Sequence, residues 1–225
     1  MRALVALDDG EYAAIVAESL RFNGHDPLLV GSVASARRRT LDASIELGVI
    51  DPWGDGGLAL VRALREAAPG SAIICLGGPG GCADVLAAFA AGADDYLVQP
   101  FCPAELVARV RSLARRCSAR AQPDFAGAER VECGLVLDAE RGRAYVNGVD
   151  LRCTPLEFAI LGRMAALPGQ PLPHAFLNAR VWNYPNLADN TLRKGHISAI
   201  RRKLRAAGAG GMLRAVQGAG YSLGA

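Results

Sequence analysis

Gly92-Ala-Asp-Asp-Tyr-Leu-Val-Gln-Pro-Phe-Cys-Pro-Ala-Glu-Leu-Val-Ala-Arg-Val-Arg111 decides the reading of the N-terminal half. A short apolar run, Tyr96–Val98, stops at a polar residue, and Pro103 then opens an amphipathic stretch that continues to Arg116. That is a strand followed by a helix, because proline is tolerated in a first helical turn and the apolar positions recur at helical spacing. The same unit repeats upstream. The apolar runs are Ala3–Leu7, Leu28–Val30, Leu47–Ile50 and Ala72–Leu76, and the helical stretches are Glu11–Phe22, Ala34–Leu41, Leu58–Ala67 and Ala83–Ala91. Five strands alternating with five helices predict a parallel, doubly wound, flavodoxin-like sheet covered on both faces. In such a sheet ligands meet the carboxyl ends of the strands, so Asp8, Asp51, Gly77 and Gln99 are expected to converge there.

Periodicity is lost over residues 119–130, which read as a linker between a domain at 1–118 and another at 131–225. The second domain opens with strand-like Val131–Leu137, Arg143–Val146 and Val149–Arg152, broken by Asn147-Gly148. Thr154-Pro155-Leu156-Glu157 reads as a capping box with proline at the first helical position. Helices are predicted from about His174 to Trp182 and over Asn190–Ala207, and Met212–Leu223 reads as a hairpin turning at Gln217-Gly218-Ala219-Gly220. Three helices closed by a hairpin describe an α+β winged helix-turn-helix.

Charge is divided unevenly along the 225 residues. Residues 1–123 hold 12 Lys+Arg against 14 Asp+Glu, and residues 124–225 hold 13 against 8. No acid follows Asp189, whereas Arg193, Lys194, Arg201, Arg202, Lys203, Arg205 and Arg214 do. A one-signed tail on a compact domain is the electrostatic footprint of a nucleic-acid binder. The six cysteines include no C-x-x-C pair and only three histidines accompany them, which argues against a metal site. No apolar run reaches the length of a membrane span, and a cytoplasmic protein without membrane contact is expected. Both lysines, Lys194 and Lys203, lie near the C-terminus, so the first half has none.

The chain resembles the OmpR/PhoB family of bacterial response regulators. The resemblance is carried by Ala-Leu-Asp-Asp at 6–9, by the stretch 92–111, by Thr-Pro-Leu-Glu-Phe at 154–158, Val-Trp at 181–182, His-Ile-Ser-Ala-Ile-Arg-Arg-Lys-Leu at 196–204 and Gly-Ala-Gly-Tyr at 218–221. It implies a receiver domain controlling a DNA-binding domain, with no enzyme activity of its own. Asp51 takes the place of the family's phosphoacceptor. Around it the pattern is eroded. Leu7 stands where the first of two Mg²⁺-holding acids belongs, and Asp8 matches the second. Gly77 replaces a Ser or Thr, Gln99 replaces the lysine, and the loop after Asp51 is about two residues short. Handling a phosphoryl group is mostly charge neutralisation and positioning, and Gln99 brings no charge. Asp51 and Asp8 are therefore expected to be a residual acidic pocket rather than a working site, with no bound cofactor.

The resemblance also implies a homodimer through the receiver, using Leu86, Phe89 and Val107 as an apolar patch and Asp95 with Arg109 as an intersubunit ion pair. It places Arg193, Lys194, His196, Ser198, Arg201 and Arg202 toward double-stranded DNA, with Gln217 in the wing where an arginine is usual. One extra residue between Thr191 and His196 shifts the register at Arg193 and Lys194. RNA polymerase is a further implied partner. The expectation is a transcriptional regulator acting without aspartyl phosphorylation. Two alternatives stay open: conventional phosphorylation of Asp51, and a ligand- or protein-interaction module that binds DNA weakly, with a small molecule held by the glycine-rich stretch 77–81.

Overall fold

The computed structural model describes residues 1–31, 35–36, 44–78, 81–118, 134–139, 141–177 and 190–224. The chain divides into two compact units, Met1–Cys117 and Ser118–Ala225. Most of the helix expected at 34–41, the linker expected at 119–130 and the end of the helix expected at 174–182 lie outside the described residues.

In the first unit, β1 (Arg2–Ala6), β2 (Asp26–Leu29), β3 (Leu47–Ile50), β4 (Ala72–Gly77) and β5 (Asp95–Val98) form one parallel sheet in the order β2-β1-β3-β4-β5. Apart from the exposed Arg2 that opens β1, the three central strands are apolar because both faces of the sheet are covered. On one face α1 (Gly10–Phe22) and α4 (Pro103–Ser118) contribute Ala13, Val16, Leu20, Leu106, Val110 and Leu113 to a core with Val5, Val49, Ile74 and Leu76. The helices α2 (Gly57–Ala67) and α3 (Cys82–Ala91) bury Leu60, Val61, Leu64, Val85, Ala88 and Phe89. The register aligns the strand ends. Ala6 pairs with Ile50, Ile50 with Cys75 and Gly77 with Val98. Backbone bonds from Asp51 to Ala6 and from Gln99 to Gly77 extend that alignment past the strands.

The second unit begins with an antiparallel sheet of β6 (Leu135–Asp138), β7 (Arg143–Val146) and β8 (Val149–Asp150). Helices α5 (Pro155–Ala165), α6 (His174–Leu177) and α7 (Asn190–Ala206) follow, and the hairpin β9 (Leu213–Val216) and β10 (Gly220–Leu223) closes the unit. The capping box forms: the Thr154 hydroxyl accepts from Glu157 N, and Glu157 Oε2 accepts from Thr154 N at 2.8 Å. Leu156, Ile160, Leu161 and Met164 of α5 meet Ile197, Ile200 and Leu204 of α7 and Leu213 and Leu223 of the hairpin in one core. Leu172 exchanges two backbone hydrogen bonds with Tyr221, which ties the hairpin to the segment before α6.

Candidate functional site

At the carboxyl edge of the parallel sheet, Asp51 is half-buried. Its Oδ1 accepts from Trp53 N at 2.8 Å and Gly54 N at 3.3 Å, so one carboxylate oxygen organises its own turn. The Asp8 carboxylate reaches the same loop: a Cβ on Gly54 would lie 2.5 Å from Asp8 Oδ2. Asp9 is used elsewhere, accepting from Glu11 N and Tyr12 N as the cap of α1. Leu7 is buried in the core. These donors do not fit a Mg²⁺ site of the receiver kind. The first acid is absent, the neighbouring acid caps a helix, and Asp51 is half spent on backbone N–H groups.

The position of the missing Ser or Thr is filled. A Cβ on Gly77 would lie 2.1 Å from the Tyr96 hydroxyl and 3.1 Å from Trp53 Cδ1. Trp53 Nε1 donates to that hydroxyl at 3.0 Å. Tyr96 is buried, whereas Trp53 is 43% exposed and closes over it from the Asp51 loop. Burial pushes the Tyr96 phenol up, so it stays protonated at neutral pH. With the pair in this arrangement, a side chain at position 77 would require the Tyr96 phenol to move. Neither aromatic was expected at the site; the signal was there, since Tyr96 lies on the strand beside Gly77 and Trp53 follows Asp51 by two residues. Gln99 is half-buried at the same edge. The glycine-rich ligand stretch was expected at 77–81, and its residues 79 and 80 lie outside the described residues. Burial drives the thiols of Cys75 and Cys153 well above their ordinary range, so neither is a reactive thiolate.

The face expected to form the dimer shows three features within the single chain. Phe89 is 1% exposed and belongs to the receiver interior, because it shares the inward side of α3 with Val85 and Ala88. Val107 is buried too, and Leu86 is half-buried. Asp95 and Arg109, expected to pair between subunits, pair within the chain: Arg109 Nη1 lies 3.1 Å from both Asp95 oxygens and Nη2 lies 2.7 Å from Glu105 Oε1. The Asp95 and Glu105 carboxylates hold the guanidinium charged against the desolvation it suffers.

On α7 the exposed polar residues, among the described side chains, are Lys194, Ser198, Arg202 and Arg205, with Arg201 half-buried beside them. Spacings of three and four place them on one stripe. Arg193 and His196, both expected to face DNA, are instead 5% and 1% exposed. They lie on the flank of α7 that the rest of the unit covers. The Arg193 charge is felt at His174 of α6, whose imidazole burial and Arg193 together hold low. Lys203 is also turned inward, donating to Glu157 Oε2 at 2.5 Å and to the Arg152 carbonyl at 2.7 Å. Gln217 is exposed in the turn of the hairpin.

A parallel receiver-type unit, followed by a winged helix-turn-helix with a basic outer stripe on its long helix, defines a DNA-binding response regulator. Residues 148–223 match the family described as "Transcriptional regulatory protein, C terminal". The chain is 36% identical over 226 residues to transcriptional regulatory protein PrrA of Mycobacterium tuberculosis, covering 99% of this chain and 95% of that protein. It is 33% identical over 206 residues to DNA-binding response regulator MtrA of the same species, covering 90% of this chain and 87% of that protein. Among solved structures, a RitR mutant superposes with a TM-score of 0.81 at 20% identity, covering 99% of this chain and 98% of the other, which is a likeness of fold. The chain belongs to the OmpR/PhoB family of response regulators. Among the described residues no helix is long and apolar enough to cross a membrane.

Proposed function

We propose that this DNA-binding regulator works without aspartyl phosphorylation, as a homodimer joined through a receiver spanning residues 1–118 and reading DNA through residues 131–225. One observation carries the first point. The Trp53–Tyr96 pair fills the space beside Gly77 in which a hydroxyl-bearing side chain would hold a phosphoryl oxygen. Gln99 supplies no charge in place of the lysine, so an acyl phosphate on Asp51 would lack both its hydrogen-bond partner and its cation. The receiver is then held in one arrangement by its own aromatic residues.

DNA contact is assigned to Lys194, Ser198 and Arg202 on α7 and to Gln217 in the wing, with Arg193 and His196 holding the helix from within. The stripe is basic and the segment after Asp189 carries no acid to oppose it. RNA polymerase remains a proposed partner of the DNA-bound protein.

The test uses the unmodified full-length protein. It is expected to bind duplex DNA in a salt-sensitive manner. Incubation with a small phosphodonor and Mg²⁺ is expected to leave its intact mass and its affinity unchanged, and Asp51→Asn to bind as tightly as the parent. A stable adduct on the parent that vanishes in Asp51→Asn would restore conventional phosphorylation. Salt-insensitive or absent DNA binding would favour the interaction-module alternative.

The dimer is expected to use the half-buried Leu86 and the exposed Val98, flanked by the Arg109 cluster. Because Arg109 already serves its own chain, Leu86→Glu is the cleaner probe: it places like charges across a two-fold contact without breaking an internal pair. Sedimentation of the full-length chain at about 10–100 μM, the range for weak interfaces, is expected to show a dimer that Leu86→Glu dissociates. A monomeric parent overturns this part of the reading.

A further inference from the structure

Arg201 stands in the middle of the basic stripe, but its head is engaged inside the unit. Its Nε donates to the Leu213 carbonyl at 3.3 Å, and its guanidinium carbon lies 5.7 Å from the centroid of the Tyr221 ring. Leu213 opens β9 and Tyr221 belongs to β10, so one side chain touches both strands of the hairpin. Tyr221 is fixed in turn. Its backbone exchanges hydrogen bonds with Leu172, and its ring lies 5.2 Å from that of His174. The root of the hairpin is therefore joined to the segment before α6 through Leu172 and to α7 through Arg201. Beyond that root run Arg214, Ala215, Val216 and Gln217, all exposed.

We infer that Arg201 is a positioning residue: it sets the hairpin against α7, so that helix and wing can engage neighbouring grooves together. This rests on the DNA-binding reading. A two-stranded hairpin has little stability of its own and takes its orientation from what it is anchored to. A guanidinium suits the task because its planar fork can donate along an edge while a face lies on an aromatic ring. An arginine that reads a base must instead extend its fork into the groove. Lysine keeps the charge and loses the planar geometry, which makes Arg201→Lys the decisive variant.

Two readouts are taken on the full-length parent, Arg201→Lys and Arg201→Ala. The first needs no DNA. Amide hydrogen exchange across 213–223 is expected to quicken about tenfold in both variants, a loosening typical of one lost anchoring contact, while the amides of α5 keep their parental rates. The second is hydroxyl-radical footprinting on a duplex recovered by selection with the parent. Both variants are expected to lose protection of the minor-groove positions flanking each half-site and to keep protection at the major-groove centre. Unchanged exchange in the hairpin overturns the inference, whatever the DNA result. Retention of the flanking footprint with relaxed preference at one base position also overturns it, and makes Arg201 a base-reading residue. A fall of about one in the salt slope for alanine, with lysine behaving as the parent, makes it a phosphate contact. A parent that gives no footprint strikes the DNA-binding reading alone, since the exchange measurement still decides the positioning role.

Discussion

Arg65→Ala is expected to destabilise the N-terminal unit by about 4 kcal/mol or more, the upper part of the range for breaking a buried ion pair. Arg65 sits on α2 and reaches four partners. Its Nη2 lies 2.6 Å from Asp94 Oδ2, its Nε and Nη2 donate to the Gly92 carbonyl at 3.1 and 2.9 Å, and its Nη1 donates to the carbonyls of Pro69 at 2.9 Å and Ser71 at 2.7 Å. Both charged side chains are largely buried. Truncation leaves the Asp94 carboxylate in the interior with the Ile73 N–H as a remaining donor, and it strips three carbonyls of their partner. The contacts join α2 to the turn before β4 and to the end of α3, so the loss loosens the edge on which Tyr96 is presented. Lysine offers no fork that could reach these acceptors together, and Arg65→Lys is expected to recover only a small part of the stability. Urea denaturation of the full-length protein measures this through the transition of the N-terminal unit. A shift below about 1 kcal/mol, the size of an exposed pair, would mean that Arg65 is dispensable.

The second large effect is expected in the other unit. Lys203→Ala removes the cation from Glu157, a buried carboxylate at the start of α5. Glu157 Oε2 receives both the Thr154 N–H and the Lys203 ammonium, so the pair fastens the N-terminus of α5 to the last turns of α7. Breaking it from one side costs about 3–5 kcal/mol, most of it the penalty of an uncompensated buried charge. For a unit of about 100 residues that corresponds to a fall in unfolding midpoint of roughly 12–40 °C. DNA binding should fail with it, because the basic stripe is held in place by the packing of α7 on α5. Lys203→Met combined with Glu157→Gln removes both charges and is expected to recover much of the stability, while Glu157→Gln alone is expected to be intermediate. Calorimetry decides between this and a solvated lysine: a midpoint within about 2 °C of the parent, below what 1 kcal/mol produces, would mean that the Lys203–Glu157 pair is dispensable.

Much of the fold was legible from the order of residues. The apolar strands at 47–50 and 72–77 are buried on both faces, and that is why they lack alternation and why a parallel sheet could be expected. The capping box at Thr154 and Glu157 is a local device, formed by residues three apart, and it needs no tertiary information. The places of Leu7, Gly77 and Gln99 at strand ends were likewise legible, since the repeat fixes where each strand stops.

The sequence by itself determined the two folds, the place of Asp51 at a sheet edge and the sign of the charge on α7, because periodicity, turn chemistry and composition are properties of neighbouring residues. Only the tertiary structure decided which groups face outward. A helical repeat gives the spacing of its faces but not which flanks other elements cover, and so Phe89, Arg193, His196 and Lys203 turn inward while Lys194, Ser198 and Arg202 do not. It also decided what occupies the space beside Gly77. Trp53 and Tyr96 stand 43 residues apart, and only the parallel pairing of β4 with β5 and the turn after β3 bring indole, phenol and Gly77 to one place.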